Sequence, residues 1–148
     1  MELFKRIIFV AKSGTVREPM ASGILKECIA NKEVEILARG LVVSFPEPMN
    51  QKAEAVLISN GITMEDFASV QLKNEDITED TLVLTMETKH KNKVLSRFEN
   101  ATERNVFVLT EFVGDELEIL DPYGGALTAY GLCYETLRQS IKKLVKML

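Results

Sequence analysis

Ile7-Ile8-Phe9-Val10-Ala11-Lys12-Ser13-Gly14-Thr15-Val16-Arg17-Glu18-Pro19-Met20-Ala21 is the stretch whose reading decides the fold. Residues 6–10 are a short run of β-branched and aromatic side chains, which predicts a buried strand. From position 17 to about 31, Met20, Ala21, Ile24, Leu25 and Cys28 recur at helical spacing. Pro19 fits the first turn of that helix, where a missing N–H costs nothing. Between strand and helix lies a loop in which Gly14 can adopt positive φ and let successive amides turn inward. It runs straight into a helix N-terminus, where unpaired amides and the helix dipole attract an anion. Arg17 stands where it can grip two oxygens of a phosphoryl group, and Ala11 forms a small floor.

The rest of the chain repeats the alternation. Residues 34–38 predict a second strand ended by Gly40, and Phe45-Pro46-Glu47-Pro48 an extended loop. A helix over 50–60 is stopped by Gly61. Residues 81–85 and 106–109 predict two more strands, with a helix over 88–99 between them. A final helix over 128–147 is expected to turn Leu132, Leu137, Ile141, Leu144 and Val145 inward beneath a basic outer face. Strands alternating with helices imply an α/β fold with a parallel sheet covered on both faces. In such sheets ligands bind beyond the carboxyl ends of the strands, which directs attention to the first strand–loop–helix unit. No repeat or linker divides residues 1–148, so one domain is expected.

Bulk properties exclude several classes. The formal net charge of −4 argues against a nucleic-acid surface, which needs clustered Lys and Arg. No apolar run is long enough to span a bilayer, so no membrane role is expected. The N-terminus from Met1 to Arg6 lacks a signal-peptide pattern. The two cysteines, Cys28 and Cys133, are far apart and predict small core residues in a reducing cytoplasm rather than a disulfide. His90 has no companions at metal-ligand spacing and predicts a solvated or packing role. No metal, nucleotide or other cofactor is implied.

The quoted stretch resembles the signature of the low-molecular-weight protein tyrosine phosphatases: an apolar strand, then C-x5-R, then Ser or Thr, Pro, Met, Ala. Leu82-Val83-Leu84-Thr85-Met86-Glu87 with His90 resembles that family's third strand and the helix after it. Asp121-Pro122-Tyr123-Gly124-Gly125 resembles its Asp-Pro loop. The resemblance implies a three-layer αβα sandwich with a four-stranded parallel sheet, of the phosphotyrosine protein phosphatase I type. It assigns Lys12, Ser13, Gly14, Thr15, Val16 and Arg17 to phosphate binding and Asp121 to the general-acid position. It also places Ala11 at the nucleophile position, where the family carries a cysteine. Glu18 replaces the family's Ser or Thr, an acid that opposes a thiolate by like charge. Gly14 replaces its Asn, and Val16 the second cysteine of many members. Thr at the position of Thr15 accompanies phosphoarginine preference among related enzymes, although Lys12 and Ser13 depart from that pattern.

Three functions remain open at this point. The departures together favour a pseudophosphatase that binds phosphate, sulfate or a phosphorylated protein residue without cysteine-based hydrolysis. A genuine tyrosine or arginine phosphatase with an engineered Ala11 is the second. The third is an interaction module that uses only the fold, through the 45–48 loop or the surface around Tyr123 and Tyr130. Those aromatics are expected to be half-buried or core. A monomer or weak dimer is expected throughout.

Overall fold

The computed structural model describes residues 4–148, so the first three residues of the N-terminal stretch lie outside it. Among the described residues four strands are formed: β1 (Arg6–Ala11), β2 (Glu35–Gly40), β3 (Thr81–Thr85) and β4 (Val106–Val108). They make one parallel sheet in the order β2-β1-β3-β4. β1 is central because both its neighbours bury it: Ile7, Ile8, Phe9 and Val10 are fully inaccessible. Strand alternation sends Ile7, Phe9 and Ala11 to one face and Ile8 and Val10 to the other.

The first face is covered by α1 (Arg17–Cys28), α2 (Gln51–Ser59), a short α4 (Leu109–Val113) and α5 (Leu127–Met147). The second carries α3 (Thr88–Arg97), whose Val94 joins Leu72 and Ile77 over Ile8, Val83 and Val106. The expected three-layer αβα sandwich with a four-stranded parallel sheet is therefore the observed architecture. Asn50 caps α2 by accepting from the amides of Lys52 and Ala53, and Gly61 follows it at φ +78°.

Two helices differ from expectation. In α5 the buried residues are Tyr130, Cys133, Tyr134, Leu137, Ser140, Ile141 and Leu144, spaced at three and four. Leu132 is off that stripe and is 69% exposed. It precedes Leu137 by five residues, about 140° around the helix at 3.6 residues per turn. In α1 burial runs unbroken to Leu25 and then stops, so Cys28 in the last turn is exposed rather than core. Smaller differences fall at element ends: β2 runs through Gly40, and Leu109 starts α4 instead of ending β4.

The pairing of β1 with β2 ends at Ala11 opposite Gly40, which brings the first loop against the end of β2. A Cβ on Gly40 would lie 2.7 Å from the Gly14 nitrogen, 2.7 Å from the Ser13 carbonyl carbon and 2.6 Å from Val43 Cγ2. Two of those atoms are backbone and cannot rotate away. Gly40→Ala is therefore expected to lower the unfolding free energy by about 1–3 kcal/mol, measured by urea denaturation. Unchanged stability would show that the loop is free to shift.

Candidate oxyanion site

The loop from Ala11 to Arg17 is fixed from outside by its carbonyl groups. Ala11 and Lys12 accept from Leu41 and Val42, Thr15 from Asn50, and Val16 from Met20, all at 2.9–3.2 Å. Because a peptide unit is planar and trans, its N–H points opposite to its C=O. The amides of Lys12, Ser13, Val16 and Arg17 thus turn away from these anchors. Gly14 reverses the chain at φ +79°, as only a residue without Cβ does readily. Lys12, Ser13, Thr15, Val16, Arg17 and Glu18 line a cavity of about 280 Å³ together with Glu47, Asp121 and Tyr123.

Arg17 begins α1 and is only 3% exposed. Its Nη1 donates to Glu87 Oε2 at 2.6 Å and to the Ile119 carbonyl at 2.7 Å, and Nη2 lies 3.8 Å from Asp121 Oδ2. Glu87 follows β3 and precedes α3. Burial pushes its carboxyl pKa up, but the hydrogen bond and charge of Arg17 outweigh this and hold it below the usual range. His90, expected in a solvated or packing role, is buried and accepts from the Glu87 amide through Nδ1 at 3.1 Å. Burial and the nearby Arg17 charge lower its pKa to about 4, so it is a neutral brace for Glu87.

Glu18 occupies the heart of the site. It is the second residue of α1, yet its side chain curls back so that Oε2 accepts from the Gly14 amide at 2.7 Å. It is 1% exposed. Burial raises its pKa to about 7, against the lowering effects of its own amide, the Gly14 amide and Arg17. Ser13 and Thr15 bond to each other through their hydroxyls, and the Thr15 amide donates to Ser13 Oγ at 3.3 Å. Two loop amides are thus held by side chains of the loop and helix themselves. Ala11 is buried at the loop's base.

Asp121 belongs to the segment before α5, is partly exposed and accepts from the Tyr123 amide at 3.0 Å. The structure therefore brings the six residues at 12–17 and Asp121 to one place, at the carboxyl end of the central strand. Glu87, Glu47 and Tyr123 join the site beyond the residues that the sequence predicts for it. An acid at the second position of a helix, four residues after a loop glycine, was a usable signal for Glu18's place. Glu47 and Tyr123 arrive from distant segments, and no local pattern marks them. Tyr130 is core at 1% exposed, whereas Phe45 and Tyr123 are 66% and 73% exposed rather than half-buried. Cys133 is buried with its thiol pushed up to about 12, so it offers no thiolate.

A central parallel strand that turns into a helix N-terminus, with a buried arginine facing an Asp-Pro segment, places the protein in the α/β class whose ligand sites lie at the carboxyl end of the sheet. Residues 6–148 match the low molecular weight phosphotyrosine protein phosphatase family, and the chain belongs to that family. It is 34% identical over 147 residues to a protein-arginine-phosphatase of Geobacillus stearothermophilus, covering 97% of this chain and 95% of that one. It is 32% identical to the low molecular weight protein-tyrosine-phosphatase PtpB of Staphylococcus aureus, covering 94% and 96%. The crystal structure of a low molecular weight protein tyrosine phosphatase from T. tengcongensis superposes with a TM-score of 0.89 at 33% identity, covering 97% of this chain and 99% of that one.

Proposed function

We propose that the protein is a pseudophosphatase: it binds phosphate, sulfate or a phosphorylated protein residue in the loop at 12–17 and does not hydrolyse it through a cysteine. One observation carries this reading. Arg17 and Asp121 flank the same cavity as the loop, while the side chain at its base, at Ala11, is a methyl group. A methyl group forms no bond to phosphorus, so covalent catalysis has no nucleophile there. The oxyanion parts depend on backbone and arginine and do not need a thiol. A phosphorylated arginine or tyrosine is the natural ligand class, given the named relatives. Residues 1–148 act as one cytoplasmic domain, monomeric or weakly dimeric, without cofactor, nucleic acid or membrane.

Calorimetric titration with inorganic phosphate and with phosphoarginine and phosphotyrosine peptides tests the binding half. Saturable binding is expected, with aryl phosphate turnover about a million-fold below that of a cysteine enzyme. Binding weaker than millimolar for all three, or turnover near that of an active phosphatase, overturns it. Ala11→Cys is expected to restore little activity, because the Glu18 carboxylate opposes a thiolate in the same loop. High activity in that variant would support the reading of Ala11 as an engineered substitution.

A second reading has a specific observation behind it. Glu18 already occupies the Gly14 amide and Glu87 already holds Arg17, which is how a fold retained only for protein contacts would satisfy these groups. The exposed Phe45 and Tyr123 would then be its working surface. Failure of every phosphate ligand to bind, with Phe45→Ala or Tyr123→Ala weakening a protein complex, decides for it.

A further inference from the structure

We propose that Glu18 selects the ligand of this site: its carboxyl group shares one proton with the bound anion, so the loop takes an oxyanion that brings its own proton, hydrogen phosphate, over one that has none, sulfate. The inference rests on the oxyanion-binding reading above and adds the proton as part of the site. The Glu18 side chain is buried, lies 2.7 Å from the Gly14 amide and lines the same cavity as Arg17 and Asp121. An anion held by the loop therefore meets a carboxyl group that has little water around it. Two bare anionic oxygens in contact there repel strongly, whereas a proton between them makes a short charge-assisted hydrogen bond.

The charges around Glu18 sharpen this. Lys12 and Arg17 are the cations lining the cavity, and Glu18, Glu47 and Asp121 are the acids, so the cavity's own acids outnumber its cations. Arg17 comes from the start of α1, Glu47 from the connection between β2 and α2, and Asp121 with Tyr123 from the segment before α5. Behind Arg17 stand Glu87, which takes up much of its charge, and the neutral His90. Arg17 favours the ionised form of Glu18 and Asp121 opposes it, and burial leaves the group titrating near neutrality. Below that point Glu18 supplies the shared proton. Above it, the proton must come from solvent or from the ligand. Hydrogen phosphate carries one into the alkaline range, and sulfate carries none.

The test is calorimetric titration of the full chain with inorganic phosphate and with sulfate, from about pH 6 to about pH 9, in two buffers of different ionisation heat. Near the acid end the two anions are expected to bind within a few-fold of each other. Above about pH 7, sulfate affinity should fall about tenfold per pH unit, with one proton taken up per anion bound. Phosphate affinity should change by no more than a few-fold over the same step with little proton uptake, so selectivity reaches about tenfold one unit above the Glu18 titration. Glu18→Gln should remove both the sulfate slope and the selectivity, while Glu47→Gln should keep them. Equal slopes for the two anions in the unsubstituted protein, without proton uptake, overturn the inference and leave oxyanion binding standing. The same holds if the slope disappears in Glu47→Gln instead. Absence of saturable binding of either anion, by the unsubstituted protein and by Glu18→Gln alike, overturns both. The slopes and proton counts of the unsubstituted protein decide the matter even where Glu18→Gln fails to fold.

Discussion

Arg17→Ala is expected to lower the unfolding free energy at neutral pH by about 3–5 kcal/mol and to abolish oxyanion binding. The guanidinium is 3% exposed and bridges Glu87 and the Ile119 carbonyl. Its removal leaves the Glu87 carboxylate, whose side chain is 14% exposed, without its main partner. The pH dependence separates this from a packing loss. Arg17 holds the folded-state pKa of Glu87 below its unfolded value. The stability it contributes is thus present above the unfolded carboxylate range and lost as pH falls through the folded pKa. The deficit of the variant should therefore shrink in acid, where Glu87 is protonated with or without Arg17. A deficit of equal size at acid and neutral pH in urea denaturation would show that lost packing, not the stranded carboxylate, is the cause. Arg17→Lys keeps the charge but not the planar fork, and should fall between the two for both stability and binding.

Glu18 gives the second large effect, with the opposite sign. Its folded pKa of about 7 lies above the ordinary 4.5 of a free glutamate because the carboxyl group is buried. The folded state therefore binds the proton more tightly than the unfolded state. The corresponding stability is fully present below the unfolded pKa and is lost as pH rises through the folded one. From about pH 4.5 to about pH 7 this group alone is expected to remove about 3 kcal/mol, since each pH unit of displacement is about 1.4 kcal/mol. Glu18→Gln, which cannot ionise, should lack that slope and should exceed the parent in stability above neutrality. Denaturation curves across this range check it. Parallel pH profiles for the two proteins would mean that water reaches the carboxylate and relieves its burial.

The two residues explain each other's sign. Arg17 is a buried cation paired with a half-buried carboxylate, so it stabilises the ionised state of Glu87. Glu18 is a buried acid held by amides, and Arg17 acts on it without forming a direct pair. Its charge is therefore only partly offset. A bound oxyanion would add another negative charge beside it, which is why the proton enters the binding equilibrium.

Much of this was legible in the sequence. The strand at 6–10, the Gly14 loop, the helix from Arg17 and the β-α alternation depend on local pattern, and each formed where expected. The absence of a thiol at Ala11 is likewise a fact of the chain alone. The structure departs from the sequence pattern where the outcome depends on what a residue packs against. Leu132 is apolar and predicts core, but the stripe set by Tyr130, Cys133 and Leu137 leaves it in solvent. Cys28 keeps the helical spacing of Ile24, yet it lies in the last turn, where burial has already ended.

The sequence by itself determined the α/β order, the loop with its arginine at a helix start, and the methyl group at the loop's base. These follow from hydrophobic period, from the freedom of glycine and from residue identity, and all of them act over a few neighbours. Only the tertiary structure decided that Gly40 must stay bare for Gly14 to pass, that Glu87 holds Arg17, and that Glu18 turns inward onto the Gly14 amide. Most of these are contacts between segments far apart in the chain. Even the local contact of Glu18 owes its energetic meaning to the surrounding burial, which fixes whether its carboxyl group carries a charge or a proton.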